Sequence, residues 1–179
     1  MNWNTFAESA PELAALGRDL FERTGLCLLG TLRRDGSPRI SPCEPYVVDG
    51  ELMLGMMWRS RKALDLLRDP RLVVHSAQCD REGGDGDFKL YGRVWDVADP
   101  PVREQYADVL EAKIDWRPPE PYHLLAVDIE SAGYIRFGKD PRALRWTAGG
   151  GFEQIRHPDE SSAQPGDGHG EEADGPSAS

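Results

Sequence analysis

The chain has 179 residues and a net charge of −10, with 39% hydrophobic and 29% charged residues, the proportions of a globular domain. No apolar run approaches the roughly 18 residues of a spanning helix. No basic stretch leading into an apolar run opens the chain, so neither a membrane anchor nor a signal peptide is expected.

Cys27, Cys43 and Cys79 lie far apart without a C-x-x-C pair, and His75, His123, His157 and His169 lack metal-ligand spacing. A disulfide framework and a structural zinc site are therefore not expected, and a reducing, cytoplasmic setting is.

The first predicted element is a helix over 9–23. Ser9 and Glu12 have capping-box spacing, and Pro11 suits a first turn. Leu13, Leu16, Leu20 and Phe21 form one apolar stripe, and Gly25 follows as a stop. A β-rich stretch comes next: a strand over 26–34, a D-G-S-P turn, a strand over 39–48, the D-G hairpin signal at 49–50, and a strand over 51–57. Pro42 and Pro45 make 39–48 an edge, bulged or ligand-facing strand. A helix over 60–69 follows, capped by Ser60, burying Ala63, Leu64, Leu66 and Leu67 and ending at Asp69-Pro70. A strand over 71–77, a loop over 78–86 and a long strand over 87–97 lead to a helix over 99–114, opened by Asp99 and two prolines. Strands over 123–129, 132–138, 143–148 and 152–157 close the chain, with Gly149–Gly151 as the last turn. Seven or eight strands and three helices, joined mostly as hairpins, predict a mainly β fold: an antiparallel barrel with peripheral helices.

Residues 157–179 contain six acids, no Lys or Arg, and no aromatic or branched aliphatic residue. Such a segment cannot bury enough apolar surface to offset its ordering entropy and is expected to be a disordered acidic tail on a folded domain of residues 1–156. Removing its six acids from the net charge of −10 leaves −4 for the rest. Neither part has the basic excess of a nucleic-acid or polyanion binder.

One basic cluster stands out against this acidity. Arg59, Arg61 and Lys62 sit at the start of the predicted 60–69 helix, where the macrodipole disfavours cations. Charge runs are ordinarily solvated surface. Here, however, free helix N–H groups, Ser60 and the cations together suit an anion, and a phosphate monoester fits that chemistry.

The order "TLRRDGSPRISP", a D-G hairpin, then "GMMWRSRKALDLLRDPR" resembles the pyridoxamine 5'-phosphate oxidase-like superfamily, and in particular its short actinobacterial branch. The resemblance covers roughly residues 20–156. It implies an antiparallel split β-barrel of the FMN-binding type and a homodimer with cofactor sites at the interface. It also implies phosphate anchoring by Arg61 and Lys62 with Ser60 beside them, and a cofactor strand that starts at Arg39 and continues through Ile40, Ser41, Pro42 and Cys43. Gly55 and Met56 stand where the oxidases have Tyr-Thr, so only backbone contacts carry over there. Asp87 falls near a Gln that touches the flavin ring. Glu44 replaces the Lys that ends the oxidases' cofactor strand, and their C-terminal R-x-H motif is missing; Arg142, Arg145 and Trp146 stand near its place. The resemblance thus covers the phosphate end of the site and departs from the oxidases at the substrate end.

The expectation is a flavin-dependent oxidoreductase using FMN, or alternatively the deazaflavin coenzyme. It would move a hydride or two electrons to or from a small conjugated or heteroaromatic substrate. Flavins supply that chemistry themselves, so no acid–base pair need stand out. The alternative is a non-catalytic flavin- or haem-type binding protein of the same fold. Trp58, Trp95, Trp116 and Trp146 are candidates either for ring stacking or for core and dimer packing. Met53, Met56 and Met57 read as core or flavin-edge packing, Cys43 as a small buried hydrophobe or a redox-active thiol on the cofactor strand, and His75 as a satisfied core histidine rather than a catalytic base. Lys89 and Tyr91 mark a polar strand face turned to the cofactor groove or to solvent.

Overall fold

A computed structural model describes residues 1–78 and 80–157. Cys79 and all of the predicted tail except His157 lie outside them. Two helices precede the sheet where one was predicted. Asn2 caps α1 (Trp3–Ser9) by accepting from the Thr5 N–H at 2.9 Å. Pro11 has no N–H to continue that helix, so it opens a second one, α2 (Pro11–Thr24). The predicted capping box does not form: the Ser9 hydroxyl donates to the Phe6 carbonyl, and Glu12 pairs with Arg142 at 2.6 Å. Gly25 ends α2 with φ 66°, as expected. α1 was hidden from a periodicity reading because it is seven residues long and buries only Trp3 and Phe6.

The strands are β1 (Cys27–Leu32), β2 (Pro38–Cys43), β3 (Pro45–Val48), β4 (Glu51–Met57), β5 (Arg71–Ser76), β6 (Asp87–Asp96), β7 (Tyr122–Arg136), β8 (Arg142–Thr147) and β9 (Gly151–Gln154). Helix α3 (Arg61–Arg68) joins β4 to β5, and α4 (Pro100–Ile114) joins β6 to β7. The predicted strand over 39–48 is split at Glu44, because Pro45 restricts the residue before it and offers no ladder donor. The strands predicted over 123–129 and 132–138 are one element, β7, long enough to pair with β4, β6 and β8. In α3, Ala63 and Leu66 are buried as expected, but Leu64 and Leu67 are exposed and Asp65 takes an inward place.

All pairings are antiparallel, in the order β2-β1-β5-β6-β7-β4-β3, with β8 and β9 added on β7. β2 and β3 end this order, yet Glu44 alone joins them in sequence. The sheet must therefore curl until its two ends meet, and it is open where they meet. Asp49 and Gly50, with φ 49° and 80°, form the tight turn between β3 and β4, the left-handed pair that a two-residue hairpin demands. The main core fills the curl with Trp3, Phe6, Phe21, Leu29, Phe88 and Trp146 among others. A smaller one holds Met53, Tyr106 and Leu124 under α4.

Candidate functional site: a basic cleft between β2 and α3

Alternation along β2 divides its residues between two faces. Arg39, Ser41 and Cys43 turn toward α3 and the core, whereas Ile40 and Pro42 point to the outer face of the sheet. β2 is an edge strand, and Pro38 and Pro42 fall on alternate residues, where an edge tolerates a missing donor. The Pro42 carbonyl accepts from the Lys62 ammonium, which ties the start of α3 to this edge.

The cleft beside Arg39 has a volume of about 480 Å³ and is lined by Arg33, Arg34, Asp35, Arg39, Arg61, Leu64, Asp65 and Arg68. Five arginines thus face two aspartates. Asp65 organises the floor. It accepts from Arg39 at 2.6 Å, Arg68 at 3.3 Å and the Thr31 hydroxyl at 3.3 Å. Burial pushes its carboxyl up, but the hydrogen bonds from Arg39 and Arg68 outweigh that and hold it below the ordinary carboxylate range. The side chains of Arg34 and Arg61 make no hydrogen bond or ion pair among the described residues.

Ser60 is the residue that caps α3, yet its hydroxyl makes no cap bond and is buried with no partner. No acidic residue occupies the first turn of the helix. Free backbone donors, an orphaned hydroxyl and the unpaired guanidinium of Arg61 together form a donor set that fits a phosphate group.

Of the predicted site residues, Arg39 and Arg61 line the cleft; Ser60 and Lys62 adjoin Arg61 in sequence, the Lys62 ammonium being turned to the Pro42 carbonyl, and Ser41 is on the same face of β2 as Arg39. Cys43 and Met56 direct their side chains into the core. Gly55 lies against Tyr106: a β-carbon there would come within 2.4 Å of the tyrosine oxygen, so the glycine makes room for α4. Asp87 stands apart, three strands from β2 and on the order of 14 Å away at ordinary strand spacing. It lies 3.7 Å from His75 and 3.6 Å from Lys89. Arg145 pairs with Glu153, and Trp146 is in the core against Phe6; with Arg142 held by Glu12, none of the three lines the cleft.

Sequence reading missed Arg33, Arg34, Asp65 and Arg68. The last two were within reach, since residues 61, 65 and 68 share one face of a helix.

Burial raises the Cys43 thiol to about 11 despite the nearby Lys62 ammonium, and it raises Cys27 as well. Alkylation of the folded protein at about pH 8 is therefore expected to leave both unmodified, while denaturant exposes them. Rapid labelling of Cys43 in the native state, mapped by mass spectrometry, would overturn this.

The profile of the pyridoxamine 5'-phosphate oxidase family matches residues 15–136, which include β1 to β7 and α3. The chain belongs to the pyridoxamine 5'-phosphate oxidase-like superfamily. Among the described residues its open antiparallel sheet with four helices is the split barrel of that superfamily.

Three solved structures show the same fold at low identity. A haem-binding protein from Mycobacterium smegmatis has TM-score 0.59 and 17% identity over 74% of this chain, which spans 57% of that protein. A Clostridium acetobutylicum protein related to general stress protein 26 of B. subtilis, of the pyridoxinephosphate oxidase family, has TM-score 0.59 and 18% identity over 77% of this chain and 97% of that one. PhzG from Burkholderia lata 383, in complex with tetrahydrophenazine-1-carboxylic acid, has TM-score 0.58 and 15% identity over 84% and 93%. No curated protein matches the sequence. Among the described residues no group of three or more His, Cys, Asp or Glu is placed to hold a metal ion, and no helix is long and apolar enough to cross a membrane.

Proposed function

We propose that this superfamily member is a flavin-dependent oxidoreductase whose cofactor phosphate lies in the cleft between β2 and α3. The observation that carries the reading is the unpartnered Ser60 hydroxyl beside the unpaired Arg61 at the N-terminus of α3, facing Arg39. Arg61 and the first-turn N–H groups would bind the phosphate directly. Arg39, fixed by Asp65, would supply a second cation, and the Lys62 ammonium would join it by leaving the Pro42 carbonyl. Ser41 and the backbone of β2 would line the remainder. The bound flavin supplies hydride or two-electron transfer, so the protein's task is to bind, orient and shield.

FMN meets these requirements with one phosphate. The surplus of Arg33, Arg34 and Arg68 favours a second form of the reading, in which the cofactor is the deazaflavin with its longer anionic tail. A small conjugated or heteroaromatic substrate is in keeping with the phenazine carboxylate held by the similar PhzG structure.

The cofactor site is proposed to be completed by a second copy of the chain. The outer sheet face carries a cross-strand row of Ile40, Gly30, Val73 and Tyr91, with Leu28 and Pro42 beside it. Ile40 is 73% exposed, Tyr91 48% and Leu28 40%, an apolar surface of the kind that a partner covers. Ile40→Asp is expected to convert a dimer into a monomer in sedimentation velocity, because it sets a carboxylate at the most exposed apolar position of that row. An unchanged sedimentation coefficient would remove this face from consideration.

The functional reading is tested by the absorption spectrum of the purified protein and by titration with FMN and with the deazaflavin. Stoichiometric binding of either supports it. Binding without turnover of any electron donor would turn it into the non-catalytic flavin- or haem-type carrier, and binding of neither cofactor would sink it.

A further inference from the structure

The turn that delivers Ser60 and Arg61 to the cleft is held from outside the cleft. Arg59 has φ 55°, a left-handed conformation in a residue with a full side chain, which local sterics disfavour. Two contacts oppose that preference. The Ser60 N–H donates to the Met57 carbonyl at 3.0 Å and closes the turn. The Arg59 N–H donates to His123 Nε2 at 3.1 Å. His123 lies on β7, in register with Met56, and is 7% exposed. The Trp58 ring stacks on the imidazole, with centroids 4.5 Å apart and planes 14° apart. One side chain from a central strand thus grips two successive residues of the β4–α3 turn, one through a hydrogen bond to the backbone and the other through a ring face. As acceptor at Nε2, it is a neutral imidazole carrying its proton on Nδ1.

We propose that His123 is a positioning residue of the anion site. It holds Arg59 left-handed so that the Ser60 hydroxyl, the first N–H groups of α3 and the Arg61 guanidinium are presented together. The role rests on the anion-site reading above and extends it to a residue that does not line the cleft. A histidine that merely filled core space would need only its shape; one that positions the turn needs its acceptor nitrogen.

Three variants separate these roles. His123→Phe keeps a ring for Trp58 but has no acceptor, and His123→Gln keeps an acceptor near Nε2 but loses the ring. Arg59→Gly removes the steric resistance to positive φ, so the turn no longer depends on its outside support. Affinity for FMN, and separately for inorganic pyrophosphate, is measured by calorimetry, and amide hydrogen exchange at residues 59–61 by NMR. His123→Phe is expected to weaken anion binding about tenfold and to speed exchange at 59–61, consistent with losing a hydrogen bond that restrains a strained residue. His123→Gln should stay within about threefold of the parent. In an Arg59→Gly background the effect of His123→Phe should shrink to about twofold or less.

Equal affinity and equal exchange in the parent and His123→Phe would overturn the proposal. So would a loss that His123→Gln shares and Arg59→Gly does not relieve. If the parent protein binds neither FMN nor pyrophosphate, the functional reading fails, while exchange at 59–61 still decides whether His123 holds the turn.

Discussion

Arg61→Ala is expected to weaken flavin binding by tenfold or more while leaving the melting temperature unchanged or slightly raised. The two halves of this result have different causes. A charge-assisted contact to a phosphate is worth roughly 1.5 to 3 kcal/mol, so its loss costs at least about one order of magnitude in affinity. In the free protein Arg61 has no ion pair among the described residues and sits where the macrodipole of α3 is positive. Removing its charge relieves an unfavourable interaction of about 0.3 kcal/mol or a little more. Residues kept for stability do not behave this way. The check is a flavin titration beside a thermal melt of the same preparation. Unchanged affinity in a folded variant would refute the assignment of Arg61 to the phosphate. Lys62→Ala is expected to show a smaller loss of affinity, because the Lys62 ammonium already serves the Pro42 carbonyl.

Asp65→Ala should do the opposite and destabilise the fold by about 2 to 4 kcal/mol, since it removes one carboxylate from three donors at once. The Asp65 side chain is 7% exposed, and it receives Arg39, Arg68 and Thr31. Without it, two guanidinium groups face each other across the cleft floor, and the Thr31 hydroxyl, itself buried, loses its partner. Arg39 then has nothing to hold it toward Arg61, so flavin affinity is expected to fall as well.

The pH dependence follows from the direction of the shift. The folded-state pKa of Asp65 lies below its unfolded value, so its stabilisation is complete above about pH 4, the ordinary carboxylate value. It is lost as pH falls through the lower folded value. Denaturant melts of the parent and Asp65→Asn should therefore differ clearly near neutrality and converge under strong acid. A stability difference that stays constant with pH would show that the Asp65 charge is not what matters.

The local rules that made this chain legible worked where a few neighbouring residues decide the outcome. Asp49-Gly50 was readable because only certain residues adopt two successive left-handed conformations. Gly25 marked the end of α2 for the same reason. The cluster Ser60-Arg61-Lys62 was readable as the start of a helix carrying cations, an arrangement that is anomalous without a counter-charge. Reading failed where the deciding partner was distant. Ser9 and Glu12 had the spacing of a cap but were drawn to the Phe6 carbonyl and Arg142. Leu64 and Leu67 fitted an apolar stripe, yet the inward position went to Asp65, because Arg39 and Arg68 could satisfy it there.

The sequence by itself determined the antiparallel character of the fold, the position of its main hairpin and the concentration of cations at the start of the helix that follows residue 60. Each follows from backbone geometry and charge within a short stretch of chain. Only the tertiary structure decided that Arg33, Arg34 and Arg68 share the cleft, that Asp87 does not, and that His123 braces Arg59. Those relations depend on which strands the curled sheet brings side by side, and burial, not local propensity, selects that pairing.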